Sequence, residues 1–188
     1  LERQPPNTLL AGWSMGGIMA LEAAAARPEN IAGLIMLSST ARFCSDAGYP
    51  CGVEPHNLRT MRAGLERAPA RILGRFFDQV CAPLKPAPEA REAFVSDALG
   101  LGLPALANGL DYLAAADLRP RLASIKIPVL LVHGEADAVI PCGASAYLAK
   151  NLPSATLVTK AGVGHNAPFA ALSFVSEAIH AFAKRVLG

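Results

Sequence analysis

The sequence predicts an α/β protein: a parallel sheet flanked by helices, with a helical lobe inserted into it. Three observations carry this reading. Apolar runs of strand length alternate with helical periodicity at both ends of the chain. The middle is proline-rich and helical, with no convincing strand. A Gly12-Trp13-Ser14-Met15-Gly16 turn joins the first strand pattern to the first helical one.

Residues 7–11 read as a strand buried on both faces and residues 15–27 as its crossover helix, which stops before Pro28. Ile31 to Leu37 is a second apolar strand, completing a βαβ unit with parallel strands and a right-handed crossover. The pattern returns late, with a strand over Pro128 to Val132, a helix over Cys142 to Asn151, a strand over Ala155 to Thr159 and a closing helix over Phe169 to Val186. Between these halves, helical periodicity covers roughly 55–82, 88–99 and 103–116, and Pro69 predicts a kink or two shorter helices in the first of them. The expected organisation is therefore a core over 1–41, a helical cap over 42–122 and the rest of the core over 123–188.

At 188 residues the chain can hold one domain with a substantial core, or a core plus a lobe, but not two full domains. A hydrophobic share of 52% and a formal charge of +2 give no general attraction to nucleic acid and no disorder. No apolar run approaches the roughly 18 residues of a membrane span, and the first six residues lack the charged-then-apolar order of a signal peptide, so a soluble cytoplasmic protein is expected. Cys44, Cys51, Cys81 and Cys142 form no C-x-x-C pair and have no histidine at metal-ligand spacing. Reduced, mostly buried thiols are expected, with a Cys44 to Cys51 bridge left open. The leucine at position 1 and the short run before the first strand point to a fragment of a longer chain.

The turn at Ser14 carries the chemistry. A serine between a strand and a helix must take a strained backbone conformation, and small neighbours such as Gly12, Gly16 and Gly17 let strand and helix approach. Such a turn lifts the hydroxyl clear of the sheet and points the Met15 amide, at a helix N-terminus, toward the same place, where it can hold an oxyanion. The alternative is a tight turn with an idle serine. A serine hydroxyl is a poor nucleophile near neutral pH and needs a histidine to take its proton and a carboxylate to orient that histidine. His165 lies in the glycine-rich loop Gly162-Val163-Gly164-His165-Asn166-Ala167-Pro168, after the last strand, and is the expected base. His133 ends a strand and reads as a structural residue beside the acid loop, while His56 and His180 read as surface or packing residues. The acid is expected in the loop His133 to Pro141, with Asp137 favoured over Glu135 because the following apolar segment buries its base and a shorter side chain is held more rigidly. Asp111 and Asp117 read as ordinary helix-face charges. No metal or cofactor is required.

These residues resemble the α/β-hydrolases, and the nearest resemblance is to the pimeloyl-acyl-carrier-protein methyl ester esterases of biotin synthesis. It rests on Gly12 to Gly17, Ile31 to Ser39, Asp111 to Leu118 and His165-Asn166-Ala167-Pro168-Phe169, and so spans nearly the whole chain. The resemblance implies a serine carboxylesterase with Ser14, Asp137 and His165 as its triad. It implies that Trp13 and Phe76 line an acyl pocket and that arginines of the cap meet an acidic carrier protein. Arg71 and Arg75 fall one helical turn apart, with Arg67 a further turn back and Arg91 on the next helix; a solvated helix face explains the same stripe without a partner. The resemblance also implies strands before residue 1, which would supply the second oxyanion amide, and whose absence leaves residues 7–11 as a sheet edge expected to pair with another chain or with a second copy. Thioester, lactone or carbon–carbon bond hydrolysis by the same triad stays open, as does a truncated, non-catalytic binding remnant.

Overall fold

A computed structural model describes residues 7–188, so the leader reading of the first six residues lies outside the described part. The sheet has four parallel strands in sequence order, β1 (Thr8–Trp13), β2 (Ile31–Leu37), β3 (Val129–Gly134) and β4 (Ala155–Lys160). Alternation along the central strands sorts side chains into two layers. Leu34 and Met36 of β2 and Val129 and Leu131 of β3 face α1 (Met15–Ala26), which contributes Ile18, Leu21 and Ala24, and α6 (Gly143–Asn151), which contributes Leu148. Ile35, Leu130 and Val132 face the other way, onto Val175 and Phe182 of α8 (Leu172–Leu187). Burial on both faces explains why these strands read as unbroken apolar runs rather than alternating ones.

The connection from β2 to β3 carries the lobe: α2 (Pro55–Arg67), α3 (Pro69–Cys81), α4 (Pro88–Gly100) and α5 (Leu103–Ala115). Each begins with a proline at its first or second position, where the missing N–H costs nothing. Pro69 does divide α2 from α3, and Ala68 between them is extended at φ −151°. Arg67 therefore ends one helix while Arg71 belongs to the next, so the expected stripe of three arginines on one helix face does not exist. The lobe closes over Leu58, Leu65, Leu73, Ala98 and Leu110, and fastens to the rest of the molecule through Ile140 and Ala144. The residues after α5 turn back to the sheet: Leu118 and Leu122 pack among the strand and α1 side chains.

Two readings need correction. The closing helix is broken, with a short α7 (Ala167–Ala170) that has Pro168 in second place, and then α8. Ala171 between them leaves the helical region at φ −134° and packs into the α8 face of the sheet. Asp117 is not a helix-face charge: it lies beyond α5, bridged to Arg42 and held by Arg119. All four cysteines are free thiols, so the Cys44 to Cys51 bridge is not formed. Among the described residues no single helix is long and apolar enough to cross a membrane.

Candidate active site

Register brings the site together. Trp13, Leu37, Val132 and Val158 are successive partners across the sheet, so the C-terminal ends of β1, β3 and β4 open onto one rim. Ser14 leaves β1 there, Asp137 follows β3 and His165 follows β4.

Ser14 caps α1 with φ 54° and ψ −125°, a positive φ that a residue with a side chain adopts only when its surroundings force it. They do so here. The Ser14 N–H donates to Leu37 O at 2.9 Å, its carbonyl accepts from Gly17 N–H at 2.9 Å, and the Ser39 hydroxyl donates to the same carbonyl at 2.8 Å. Gly12 must be glycine, because a Cβ there would run into Gly16 O and lie 2.5 Å from the Gly16 carbonyl carbon. Met15 opens the helix, in the turn whose leading amides lack intrahelical acceptors.

His165 Nε2 is 2.9 Å from Ser14 Oγ and its Nδ1 is 2.8 Å from Asp137 Oδ2. An ionised carboxylate only accepts, so Nδ1 carries the hydrogen and Nε2 is left to accept from the Ser14 hydroxyl. The imidazole is 1% exposed. Its loop is pinned from both sides: the Trp13 indole N–H donates to His165 O at 2.9 Å, and Asn166 N–H donates to Val80 O of the lobe at 3.2 Å.

The Asp137 side chain is fully buried. Burial pushes its carboxyl up, but hydrogen bonds from His133 and His165, electrostatic attraction toward the His165 ring and the Ile140 N–H outweigh that and hold it down at about 2. Oδ1 accepts from Val139 and Ile140 N–H, each at 2.8 Å. Glu135, the other acid considered, accepts instead from the Thr159 hydroxyl at 2.7 Å on the surface. His56 and His180 are exposed and take no part in this line of hydrogen bonds.

A cavity of about 530 Å³ leads from Ser14 into the lobe, lined by Met15, Phe43, Met61, Phe76 and Phe94 among others. Phe76 is part of this lining. Trp13 does not line this cavity: its ring packs against His165 at 5.5 Å and edge-on against Phe169 at 5.6 Å. A second cavity of about 580 Å³ lies across the wall formed by Leu58, Met61 and Phe76 and does not include Ser14. Arg71 and Arg75 are exposed on α3, whereas Arg91 is engaged with Asp78 at 2.9 Å, its guanidinium lying over Gly74. Sequence reasoning missed Ser39 as the brace of the Ser14 turn; the polar run Ser38-Ser39-Thr40, wholly buried after an apolar strand, was its only signal.

The profile of the family described as serine aminopeptidase, S33, matches residues 2–169. The chain is 33% identical over 186 residues to the pimeloyl-[acyl-carrier protein] methyl ester esterase of Nitrosomonas europaea, covering 96% of this chain and 72% of the relative. To the protein of the same name from Aromatoleum aromaticum it is 32% identical over 182 residues, covering 90% and 70%. In fold it is similar to an esterase from Exiguobacterium antarcticum, with a TM-score of 0.89 at 23% identity over 95% of this chain and 67% of that one. A bromoperoxidase from Bacillus anthracis matches with the same TM-score at 19% identity, over 95% of this chain and 68% of that one. The chain belongs to the α/β-hydrolases, in the family described as serine aminopeptidase, S33, and is a serine hydrolase of carboxylic esters.

Proposed function

We propose that Ser14, His165 and Asp137 act as a catalytic triad on the methyl ester of an acyl chain borne by a carrier protein. The observation that carries this is the continuous hydrogen-bonded line from Ser14 Oγ through His165 to a buried, ionised Asp137, at the mouth of an apolar cavity. Ser14 Oγ attacks the ester carbonyl as His165 Nε2 takes its proton, and the Met15 N–H holds the negative oxygen of the tetrahedral intermediate. The same proton passes to the departing methoxide, leaving an acyl-serine and methanol. Water, deprotonated by His165, then attacks the acyl carbon, and Ser14 regains its proton as the free acid leaves. Asp137 stays ionised and keeps Nδ1 protonated throughout.

The substrate assignment draws on the names of the relatives and on the lobe. The cavity walls suit an unbranched acyl chain, and exposed Arg71 and Arg75 precede Phe76 on α3 where an acidic carrier protein could dock. Incubation with a fluorophosphonate, followed by peptide mass mapping, tests the triad: a stoichiometric adduct on Ser14 is expected, and folded protein unlabelled at Ser14 would end the reading. Turnover of a carrier-bound methyl ester against a small free methyl ester tests the partner. The double variant Arg71→Glu, Arg75→Glu should slow the first and spare the second, and equal effects on both would remove the carrier protein from the account.

A further inference from the structure

The mechanism above leaves a buried histidine unused. His133, the penultimate residue of β3, is fully buried. Its Nε2 lies 2.9 Å from Ile140 O and 3.1 Å from Asp137 Oδ2, and its Nδ1 lies 2.6 Å from Ser145 Oγ on α6. Nε2 faces only acceptors, a carbonyl and a carboxylate, so it carries the ring hydrogen. The Ser145 hydroxyl then donates to Nδ1, its other neighbour being Ser39 O at 3.4 Å.

We propose that His133 is a positioning residue that shares Asp137 Oδ2 with His165 and fixes where that oxygen stands. The inference rests on the triad reading given above. A buried carboxylate must have its oxygens satisfied by hydrogen-bond donors. Oδ1 has the two loop amides; Oδ2 has two imidazoles, one that moves protons and one that does not. The second imidazole is itself clamped between β3, the acid loop and α6, so it transmits the rigidity of the sheet to Oδ2. His133 also sits next to the brace of the nucleophile turn, because Ser39, whose carbonyl approaches Ser145, holds the Ser14 carbonyl through its hydroxyl. A histidine filling core space would need only the Ile140 and Ser145 partners. The approach of its N–H to the acid that orients His165 is the extra feature.

Nitrogen-15 NMR of the imidazoles in the unmodified chain gives the first test and does not depend on turnover. His133 is expected as the Nε2–H tautomer; an Nδ1–H tautomer would turn a lone pair toward Asp137 and overturn the proposal. The second test compares His133→Phe, a ring without a donor, with His133→Gln, whose amide can donate toward Oδ2. His133→Phe should lower kcat on a small methyl ester and the labelling rate of Ser14 by about tenfold to a hundredfold, the scale of a misplaced catalytic group, with KM unchanged. His133→Gln should recover most of the loss. Folded His133→Phe reacting at the unmodified rate, or His133→Gln falling as far as His133→Phe, overturns it. If His133→Phe does not fold, the tautomer and the rate of His133→Gln decide. Failure of Ser14 to label in the unmodified chain would instead strike the triad reading, and the two failures are therefore distinct.

Discussion

In β3 every residue from Val129 to Gly134 is buried, whereas α4 of the lobe buries only Ala98 and α5 only Leu110. Leu99 at the end of α4, Leu101 in the turn and Leu103 at the start of α5 are exposed, and Leu101 also lines the cavity above Ser14. The two regions use apolar side chains differently. The sheet places them in a close-packed interior, where one methyl group is felt as strain or cavity. The lobe places them around an open space and on its outer face. Positioning of Ser14, Asp137 and His165 thus rests mainly on the sheet rim, with one contact from the lobe at Val80, and the cavity above Ser14 belongs to the looser layer. Substitutions at the rim should act on kcat, and substitutions in the lobe on KM.

The largest break should come at Asp137. In Asp137→Asn the amide cannot accept from His133, His165 and two backbone N–H groups at once, and a ring hydrogen is forced off His165 Nδ1. A loss of roughly 10³-fold or more in ester turnover and in Ser14 labelling is expected, the scale of a wrong imidazole tautomer. Parallel activity and thermal melts check it; a folded variant within tenfold of the unmodified rate would sever the rim from the chemistry. Next comes a pair of glycines. Gly12→Ala drives a Cβ into the Gly16 carbonyl within a turn already pinned at Ser14, and overpacking of this kind should cost about 3 kcal/mol in urea unfolding as well as activity. Gly100→Ala at the end of α4 meets nothing within 4 Å and should instead stabilise by about 0.5 kcal/mol, through helix propensity. Smaller again is Phe76→Ala, which widens the cavity wall. KM for a long acyl ester should rise about tenfold while kcat for an acetyl ester changes little.

The same division explains what could be read in the chain. The central strands β2 and β3 were legible because burial on both faces leaves an apolar run, while β1 and β4 are only partly buried; the Ser14, Asp137 and His165 order was legible because each lies in the turn or loop that follows a strand pattern. Helix division at Pro69 was legible because proline removes a donor at a fixed place. Contacts between distant segments left no such mark. Trp13 was expected at the acyl pocket, but its indole N–H found the His165 carbonyl, 152 residues away in sequence. Arg91 was expected among the cap arginines that meet an acidic carrier protein, yet it is paired with Asp78 on the preceding helix. His133 looked merely structural because nothing in His133 to Asp137 says that both ends of that segment turn toward the same oxygen. The break at Ala171 was equally silent, since alanine favours helix and only packing against the sheet pulls it out.

The seam between sheet and lobe offers the finest test. Asp117 sits there with a quarter of its side chain exposed, accepting at Oδ2 from Arg119 at 2.6 Å and Arg42 at 2.8 Å, while Arg119 also holds Asp46 at 2.9 Å. Hydrogen bonds from Arg119 lead in lowering its carboxyl to about 2, against the opposing pull of burial, with Arg42 assisting. A carboxyl whose folded value lies below its unfolded value of about 3.9 stabilises the fold fully above about pH 4, and that contribution is lost as pH falls through 2. Discounted for solvent screening, it amounts to about 1 kcal/mol. Asp117→Asn should therefore unfold at lower urea than the unmodified chain at pH 7, and the gap should close between pH 4 and pH 2. Because α2 to α5 hang from this seam, the variant should also raise KM for the long acyl ester slightly and leave the Ser14 labelling rate alone. A variant whose labelling rate fell with its stability would show that the lobe, and not only the sheet, holds the rim in place.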